Sequence, residues 1–392
     1  MSGTIQKKAI IYVFSGTGNT LIAAQKTAAA LAVRGIRTDI YRIVSADSDM
    51  YHSAFLKADG NGGFLAGSAD RIPEENSKVR ISDEFGFVPD PNSYDLAGFA
   101  YPIHAFNAPQ FFLRFVKHLP SLCAEKKGMR AFLFKTSGEP FKPNASSSRT
   151  LAYFLKKKGF VPGIDMHMLM PYNIMFRYPK EMAKQMYLHT EMMSDKMADL
   201  VCQESCPPLH FNPFITLFSY ILRIQWLGAW INGPLHMIKK ADCSGCGLCV
   251  KSCPSANIRM DQGIPKIGWK CIMCMNCTMG CPKAAINPGF LTPWKVHPKW
   301  DFPALLADDS VASNWTDNPN AGYFRFFRSY YSRTTDNALL PQENDMLIPV
   351  NEKYASLQEG DIDNVFGLED SFGFDEPYAF DDSEEIAREL KS

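Results

Sequence analysis

The first two hundred residues alternate short apolar runs with longer segments in which apolar residues recur at helical spacing. Strands that alternate with helices in this way build a parallel sheet with helices on both faces. We therefore predict an α/β fold with a doubly wound, five-stranded parallel sheet in the order 2-1-3-4-5. The pattern predicts strands at 9–14, 37–43, 96–101, 130–135 and 164–170, and helices near 19–34, 108–118, 147–158 and 180–201.

A polar loop follows the first strand and leads directly into the first helix. Glycine lets backbone N–H groups converge there, hydroxyls add donors, and the helix N-terminus adds partial positive charge. Such a loop suits a phosphomonoester. It lacks the Lys of a Walker loop and the GxGxxG of a dinucleotide site, which argues against ATP and NAD. A strand-to-helix turn without a ligand is the alternative. The loop consists of Ser15, Gly16, Thr17, Gly18, Asn19 and Thr20.

Two further loops follow the third and fourth predicted strands. In open α/β sheets, ligands bind beyond the carboxyl ends of the strands, so these loops are candidates for the same site. The first contains Tyr101, Pro102, Ile103, His104, Ala105, Phe106 and Asn107, and the second contains Thr136, Ser137, Gly138 and Glu139.

The loop at 15–20 resembles the Ser/Thr-Gly-Thr-Gly-Asn-Thr loop with which flavodoxins hold the phosphate of FMN. This resemblance implies FMN as a cofactor and a flavodoxin-like fold, with the two further loops flanking the isoalloxazine ring. Tyr101 and Phe106 are candidates to stack on the ring. His104 is either a proton donor to reduced flavin or a loop histidine bonded to the backbone. Glu139 either acts on the flavin through its charge or faces water.

Two cysteine runs near the middle of the chain share one spacing, C-x2-C-x2-C-x3-C-P, and form an internal repeat of about 28 residues. Three thiolates at this spacing can wrap one corner of a [4Fe-4S] cube. A structural zinc site is an alternative that has no use for the third Cys or the Pro, and disulfide frameworks are typical of short secreted chains. The runs are Cys243, Cys246, Cys249 and Cys253, and Cys271, Cys274, Cys277 and Cys281.

The two runs resemble bacterial-type ferredoxins with two [4Fe-4S] clusters. In those proteins the Cys before the Pro ligates the other cluster. The resemblance therefore implies one cluster held by Cys243, Cys246, Cys249 and Cys281, and a second held by Cys271, Cys274, Cys277 and Cys253.

Two segments around these domains are less typical. The connection from 47 to 94 is long for a strand connection, and it contains either a short helix near 49–57, a mobile cover or an ordinary surface insertion. The apolar run 211–231 has Arg223 at its centre, with Thr216 and Ser219 on the same helical face. We expect an amphipathic helix that packs one domain against the other. Membrane-surface attachment is the second choice and a true span the last.

Composition adds little about partners except at the C-terminus. The chain has 392 residues and no net charge, but residues 341–392 carry fifteen Asp or Glu against three Lys or Arg. This acidic segment is either a solvated tail or a docking element for a basic partner. There is no basic stripe that would predict nucleic-acid binding. The polar N-terminus predicts no secretory signal, and cysteines reserved for iron favour the cytoplasm.

The order of the domains resembles that of EFR1-family ferredoxins, in which a flavodoxin-like domain is fused to a two-cluster ferredoxin domain. The resemblance implies an electron-transfer protein or oxidoreductase that passes single electrons between clusters and FMN, with a redox protein or a small-molecule substrate as partner. The alternative is a redox-responsive binding protein. We predict the domains at 1–205 (FMN), 206–235 (linker helix), 236–290 (ferredoxin), 291–340 (aromatic-rich extension) and 341–392 (acidic segment).

Overall fold

The computed structural model describes residues 7–58, 64–66, 77–203 and 208–335, all of which belong to one compact unit. The acidic segment 341–392, the end of the aromatic-rich extension and the glycine-rich part of the 47–94 connection lie outside the described residues.

A seven-stranded sheet organises the first domain. Its strands, in the order β4-β3-β2-β1-β7-β8-β9, include five parallel neighbours from β2 to β9, in the predicted order 2-1-3-4-5. This order defines a flavodoxin-like sheet and confirms the predicted fold class. In chain order, the strands of the first domain, of which β5 and β6 lie outside this sheet, are β1 (Lys8–Val13), β2 (Arg37–Arg42), β3 (Phe55–Ala58), β4 (Phe64–Ala66), β5 (Lys78–Ser82), β6 (Gly86–Pro89), β7 (Leu96–Pro102), β8 (Arg130–Ser137) and β9 (Val161–Leu169).

Helices cover both faces of the sheet, which is why its central strand is a continuous apolar run. Residues 9–13 of β1 are completely buried. One face packs against α1 (Asn19–Val33) and α4 (Lys180–Cys202), the other against α2 (Gln110–His118) and α3 (Arg149–Lys157). The helices predicted at 19–34, 108–118, 147–158 and 180–201 are thus confirmed within a few residues.

The 47–94 connection extends the sheet. The predicted helix near 49–57 is not formed, since Tyr51–Ser53 makes a single 3-10 turn and β3 follows. The edge of β2 offers free ladder positions, and β3 pairs with it antiparallel, with Phe55 buried opposite Tyr41. Strands β5 and β6 form a separate hairpin.

Two short helices link the domains, α5 (Pro213–Ile221) and α6 (Ile224–Asn232). By length and composition, the segment Pro213–Asn232 is the one helical segment among the described residues that could cross a membrane. The chain turns at Leu222 and Arg223, so neither helix exceeds nine residues.

The second domain repeats itself every 28 residues in backbone conformation as well as in sequence. Left-handed φ angles occur at Gly245 and Met273, at Gly247 and Met275, and at Ala256 and Ala284. Four short strands and two single-turn helices complete this domain. They are β10 (Met237–Ile238), α7 (Leu248–Lys251), β11 (Ile258–Asp261), β12 (Ile264–Ile267), α8 (Asn276–Met279) and β13 (Ile286–Asn287).

The aromatic-rich extension returns to the first domain. Its helices α9 (Phe302–Ala307) and α10 (Arg328–Thr335) pack with α4. Phe327 is completely buried in this contact. The extension therefore reaches the end of the sheet where the ligand loops lie.

Candidate redox site

Two cavities lie in the second domain, and each is lined by four cysteines. The outer cavity contains Cys243, Cys246, Cys249 and Cys281; the inner cavity contains Cys253, Cys271, Cys274 and Cys277. The last Cys of each run thus lies with the first three of the other run. Among the described residues, no three His, Cys, Asp or Glu side chains stand close enough to hold a single metal ion.

The backbone around both cavities follows the same two-fold plan. The N–H of Asn257 donates to Cys253 Sγ at 3.3 Å, and 28 residues later the N–H of Ala285 donates to Cys281 Sγ at 3.3 Å. Such N–H···S contacts stabilise charge on the sulfur. The two cavities are therefore equivalent in design, although they differ in surroundings.

Burial affects the inner thiols most. Desolvation, followed by the charges of neighbouring sulfurs, raises the pKa of Cys271 to about 11 and that of Cys277 to about 12. In the outer set, desolvation also raises the pKa of Cys249, whereas backbone and side-chain hydrogen bonds lower the pKa of Cys246, which is exposed. A bound metal group must displace protons from the inner thiols, so binding there is coupled to pH.

The polar loop at 15–20 presents unused donors. Within the described residues, none of its backbone N–H groups and neither hydroxyl of Ser15 and Thr17 has a hydrogen-bond acceptor. Gly18 adopts φ 108°, a conformation that glycine favours, immediately before α1. A helix N-terminus with open donors is a ready anion site, so this loop fits a phosphate group.

Hydrogen bonds tie the three predicted loops together. Thr20 Oγ1 and Thr136 Oγ1 lie 2.7 Å apart, and the N–H of Ile103 donates to the carbonyl of Thr136 at 2.8 Å. Asn19 Nδ2 donates to the carbonyl of Pro171 at 2.8 Å, which adds the segment after β9. The structure therefore brings the loops at 15–20, 101–107 and 136–139 to one end of the sheet.

Tyr101 does not belong to the surface of this site. Its ring is completely buried and packs on Phe112, and its hydroxyl lies 2.8 Å from Ser148 Oγ and 3.0 Å from Ser147 Oγ. The expectation that Tyr101 stacks on a ligand is wrong, because strand alternation directs its side chain into the core.

Phe106 remains as the aromatic residue of its loop. Ala105 and Phe106 both have positive φ, which forms a tight turn closed by two backbone hydrogen bonds between His104 and Asn107. The ring of Phe106 lies 6.4 Å from that of Phe141 and 6.0 Å from that of Phe218. Phe106 thus joins an aromatic cluster between the loops and α5.

His104 is uncharged at neutral pH. Desolvation lowers the pKa of His104 to about 4. An imidazole with such a pKa carries no extra proton to donate near pH 7. The lowered pKa therefore argues against His104 as a protonated donor to reduced flavin.

Glu139 is buried and accepts hydrogen bonds from two tyrosines. The hydroxyl of Tyr172 donates to one carboxylate oxygen and that of Tyr323 to the other. Desolvation and the contact with Glu139 raise the pKa of both tyrosines above the ordinary value. The interpretation of Glu139 as a water-facing residue is wrong. Sequence reasoning missed both tyrosines, and only the aromatic run at 323–327 pointed to the extension.

The remaining loop residues hold the loops in place through hydrogen bonds and packing. Ser137 Oγ lies 2.7 Å from His167 Nε2 and donates to the carbonyl of Glu139 at 2.9 Å. The ring of Tyr172 covers Gly138, so a side chain at that position would collide with it. Asn107 Nδ2 donates to the carbonyl of Ser219 at 2.6 Å, which attaches α5 to the loop.

The inner cavity adjoins the loop at 15–20 directly. A Cβ placed on Gly16 would lie 2.6 Å from Cys274 Cβ, so only glycine permits this approach. Ser45 N donates to the carbonyl of Pro254 at 2.7 Å, and Ser48 Oγ donates to that of Cys253 at 2.8 Å. Cys274 is itself packed against the main core.

Residues 236–282, which include all eight cysteines of the two runs, match the family model described as a 4Fe-4S dicluster domain. The predicted ferredoxin-type domain is thereby confirmed. No curated protein matches the chain.

Solved structures that are similar to the chain cover about half of it. Flavodoxin 1 from Bacillus cereus is 11% identical with a TM-score of 0.28, covering 49% of this chain and 97% of its own. A flavodoxin from the domain Archaea is 11% identical with a TM-score of 0.28, covering 50% and 99%. An oxidoreductase from Corynebacterium diphtheriae is 13% identical with a TM-score of 0.29, covering 52% and 100%. The assignment of the fold rests on the strand order, not on these scores.

Proposed function

We propose that the chain is a flavo-iron–sulfur electron-transfer protein that passes single electrons between two [4Fe-4S] clusters and FMN. When bound, the clusters supply one-electron chemistry, and the flavin joins it to two-electron chemistry. The observation that carries the proposal is the contact between Gly16 and Cys274. It makes the phosphate loop and the inner cysteine cavity direct neighbours.

The thiols fit two cubane clusters with crossed ligation. Cys253, Cys271, Cys274 and Cys277 would hold the inner cluster, and Cys243, Cys246, Cys249 and Cys281 the outer one. The grouping of cysteines around each cavity and the 28-residue repeat support this assignment. The absence of a single-ion site among the described residues favours clusters over structural zinc.

The loop at 15–20 fits the phosphate of FMN. Its backbone N–H groups and the hydroxyls of Ser15 and Thr17 would bind the phosphate oxygens. The loops at 101–107 and 136–139 would flank the ring, with Phe106 as the stacking candidate. The order of the two domains also supports membership in the EFR1 family, and reduced thiols favour a cytoplasmic location.

Cofactor content and linked reduction test the proposal. The purified protein should contain about one FMN and about eight irons, and anaerobic stepwise reduction should bleach flavin and clusters in linked steps. If the clusters bleach without any flavin signal in a protein isolated with full iron, the FMN part of the proposal fails.

A charge change tests the phosphate loop. Thr17→Asp should repel the phosphate and lower FMN affinity at least tenfold, because a carboxylate would face an anion. Ser121→Asp introduces the same charge at an exposed loop position elsewhere and should leave FMN affinity unchanged. Full FMN occupancy in the Thr17 variant would show that the loop has another role.

Two cysteine variants test the order of the clusters. Cys246→Ala should remove the outer cluster and leave the inner cluster reducing the flavin at the parent rate. Cys277→Ala should remove the inner cluster and slow that transfer strongly, with iron content near half in both cases. Equal transfer rates in the two variants would contradict the proposed path through the inner cavity.

A second candidate function is reduction of a substrate at the flavin. It is favoured by Glu139, Tyr172 and Tyr323, which place proton-bearing groups beside a ligand loop. Candidate acceptors should then reoxidise the reduced protein faster than buffer does, and Tyr323→Phe should slow that step but not cluster reduction. If no acceptor exceeds buffer, this candidate is dropped.

A further inference from the structure

The linker helices α5 and α6 bury polar side chains and expose apolar ones, the reverse of the usual arrangement in a soluble protein. Three of their polar side chains face the protein, since Thr216, Ser219 and Asn232 are only 4%, 1% and 0% exposed. Large apolar side chains face outward, and Phe214 and Ile221 are 76% and 68% exposed. Only 12% of this segment is buried. In water, such an arrangement leaves apolar area uncovered.

Hydrogen bonds fix this orientation. Arg223 donates to Thr150 and, at 3.3 Å, to Asn107 Oδ1, while Arg149 donates to the hydroxyl of Tyr220 at 2.8 Å. Asn232, completely buried at the far end, donates to the carbonyl of Pro288 at 3.1 Å. Because the polar side is held by the body of the protein, the helices cannot turn their apolar side inward without losing these bonds.

The exposed apolar surface continues into the ferredoxin-type domain. The ring of Trp230 lies 4.7 Å from that of Trp269, and both are exposed. Met237 and Phe290 are also exposed, and Phe290 lies against Gly228 of α6. We call the exposed apolar residues of these helices, together with Met237, Trp269 and Phe290, the apolar face. The helix residues in it are Phe214, Leu217, Phe218, Ile221, Leu227, Trp230 and Ile231.

Positive charge borders the apolar face. Lys239 and Lys240 follow Met237, Lys270 follows Trp269, and all three are exposed. Residues 236–290 contain seven Lys or Arg against two Asp, so their side chains other than cysteine carry a net charge of about +5. An apolar surface with tryptophans and bordering lysines complements the anionic headgroups and acyl boundary of a bilayer. The core of a protein interface is also depleted of Asp, Glu and Lys, so the bordering lysines, and not the composition of α5 and α6, favour an anionic bilayer.

We propose that the apolar face attaches the protein to the surface of an anionic lipid bilayer. The helices would lie in the interface and not cross it. Although the whole segment is long enough to cross, Thr216 and Ser219 on its polar side are buried against the protein, so lipid cannot surround it. Arg223, at the turn between them, is held by the protein. The outer cysteine cavity, in the same domain as Met237 and Trp269, would then lie near the membrane surface.

Vesicle flotation of the full chain tests this proposal and does not depend on cofactor chemistry. The protein should float with phosphatidylcholine vesicles that contain phosphatidylglycerol, and a paired Phe214→Ser, Ile221→Ser variant should lose at least tenfold in partition coefficient. Val33→Ser is the matched control, because Val33 is 86% exposed on α1, outside the apolar face, and should have no effect. Iron content checks that each variant is folded.

The charge component has its own test. Lys239→Glu with Lys240→Glu should weaken binding to vesicles with phosphatidylglycerol and leave binding to pure phosphatidylcholine unchanged. If the parent protein floats with neither kind of vesicle, the proposal is overturned. It is also overturned if the paired Phe214→Ser, Ile221→Ser variant floats as well as the parent protein does. If the parent instead self-associates and that variant is monomeric, the face is a protein interface and the bilayer is excluded.

Discussion

The approach of Gly16 to Cys274 gives the sharpest prediction about how the two domains fit together. In a Gly16→Ala variant, the added methyl carbon would lie 2.6 Å from Cys274 Cβ, whereas carbon atoms in contact prefer about 3.5–4.0 Å. The neighbouring atoms belong to backbone and to a Cβ, so no flexible side chain can move aside. The two segments must therefore separate by about 1 Å.

The magnitude follows from the contacts at this junction. Overpacking costs about 1–3 kcal/mol. A shift of about 1 Å would also stretch the bonds from Ser45 N to the Pro254 carbonyl and from Ser48 Oγ to the Cys253 carbonyl, worth about 0.5–1.5 kcal/mol each. We therefore expect Gly16→Ala to lose about 2–6 kcal/mol of unfolding free energy and to slow electron transfer between clusters and flavin.

Anaerobic urea unfolding of the cofactor-loaded protein measures this loss. With a slope of about 1–3 kcal/mol per molar urea, the midpoint should fall by about 0.7 M or more. Gly228→Ala is the matched control, because its Cβ would meet only Phe290 at 3.9 Å, an ordinary contact. A Gly16→Ala protein with the parent's midpoint and transfer rate would refute the close approach of the loop to the inner cavity.

Three other predictions concern buried polar groups. Desolvation, with a smaller contribution from a nearby lysine, lowers the pKa of His189 to about 3. Below about pH 6.5, His189 therefore takes up a proton in the unfolded chain but not in the native protein. Stability should therefore fall by about 2 kcal/mol from pH 7 to pH 5, and His189→Gln should remove that part of the slope in urea unfolding. Lys135→Met should lower the free energy of unfolding by about 3–5 kcal/mol, because it leaves the buried carboxylate of Asp165 unpaired. Adding Asp165→Leu should recover most of this loss, and a double variant no more stable than Lys135→Met would show that the two residues are not coupled. Ser48→Ala should lower the free energy of unfolding by about 1–3 kcal/mol, because it leaves the Cys253 carbonyl without its donor. The clusters should then bleach faster in mild urea, and an unchanged bleaching rate would contradict a role for this bond.

Local signals determined most of the fold. The apolar runs set the strands and the intervening periodic segments set the helices, because burial on both faces requires continuous apolar strands. Of the alternatives for the 47–94 connection, the helix near 49–57 does not form, because the free sheet edge at β2 pairs with Phe55 in a strand. Local propensity does not register such a tertiary contact.

The orientation of single side chains was harder to predict. Tyr101 and Phe106 lie in the same loop region, yet the first enters the core and the second reaches the aromatic cluster. Glu139 gained one tyrosine donor, Tyr172, from 33 residues away and the other, Tyr323, from 184 residues away. Such distant contacts leave no periodic trace along the chain.

By itself, the sequence determined two equivalent cysteine runs and a flavodoxin-like sheet with a polar loop after its first strand, because ligand spacing and loop composition are local properties. It did not determine which run faces that fold, since the 28-residue repeat makes both runs alike. Only the tertiary structure decided this. The packing of Ile272 and Cys274 on the main core, and the room left by Gly16, put the inner cavity against the loop and turned the other toward solvent.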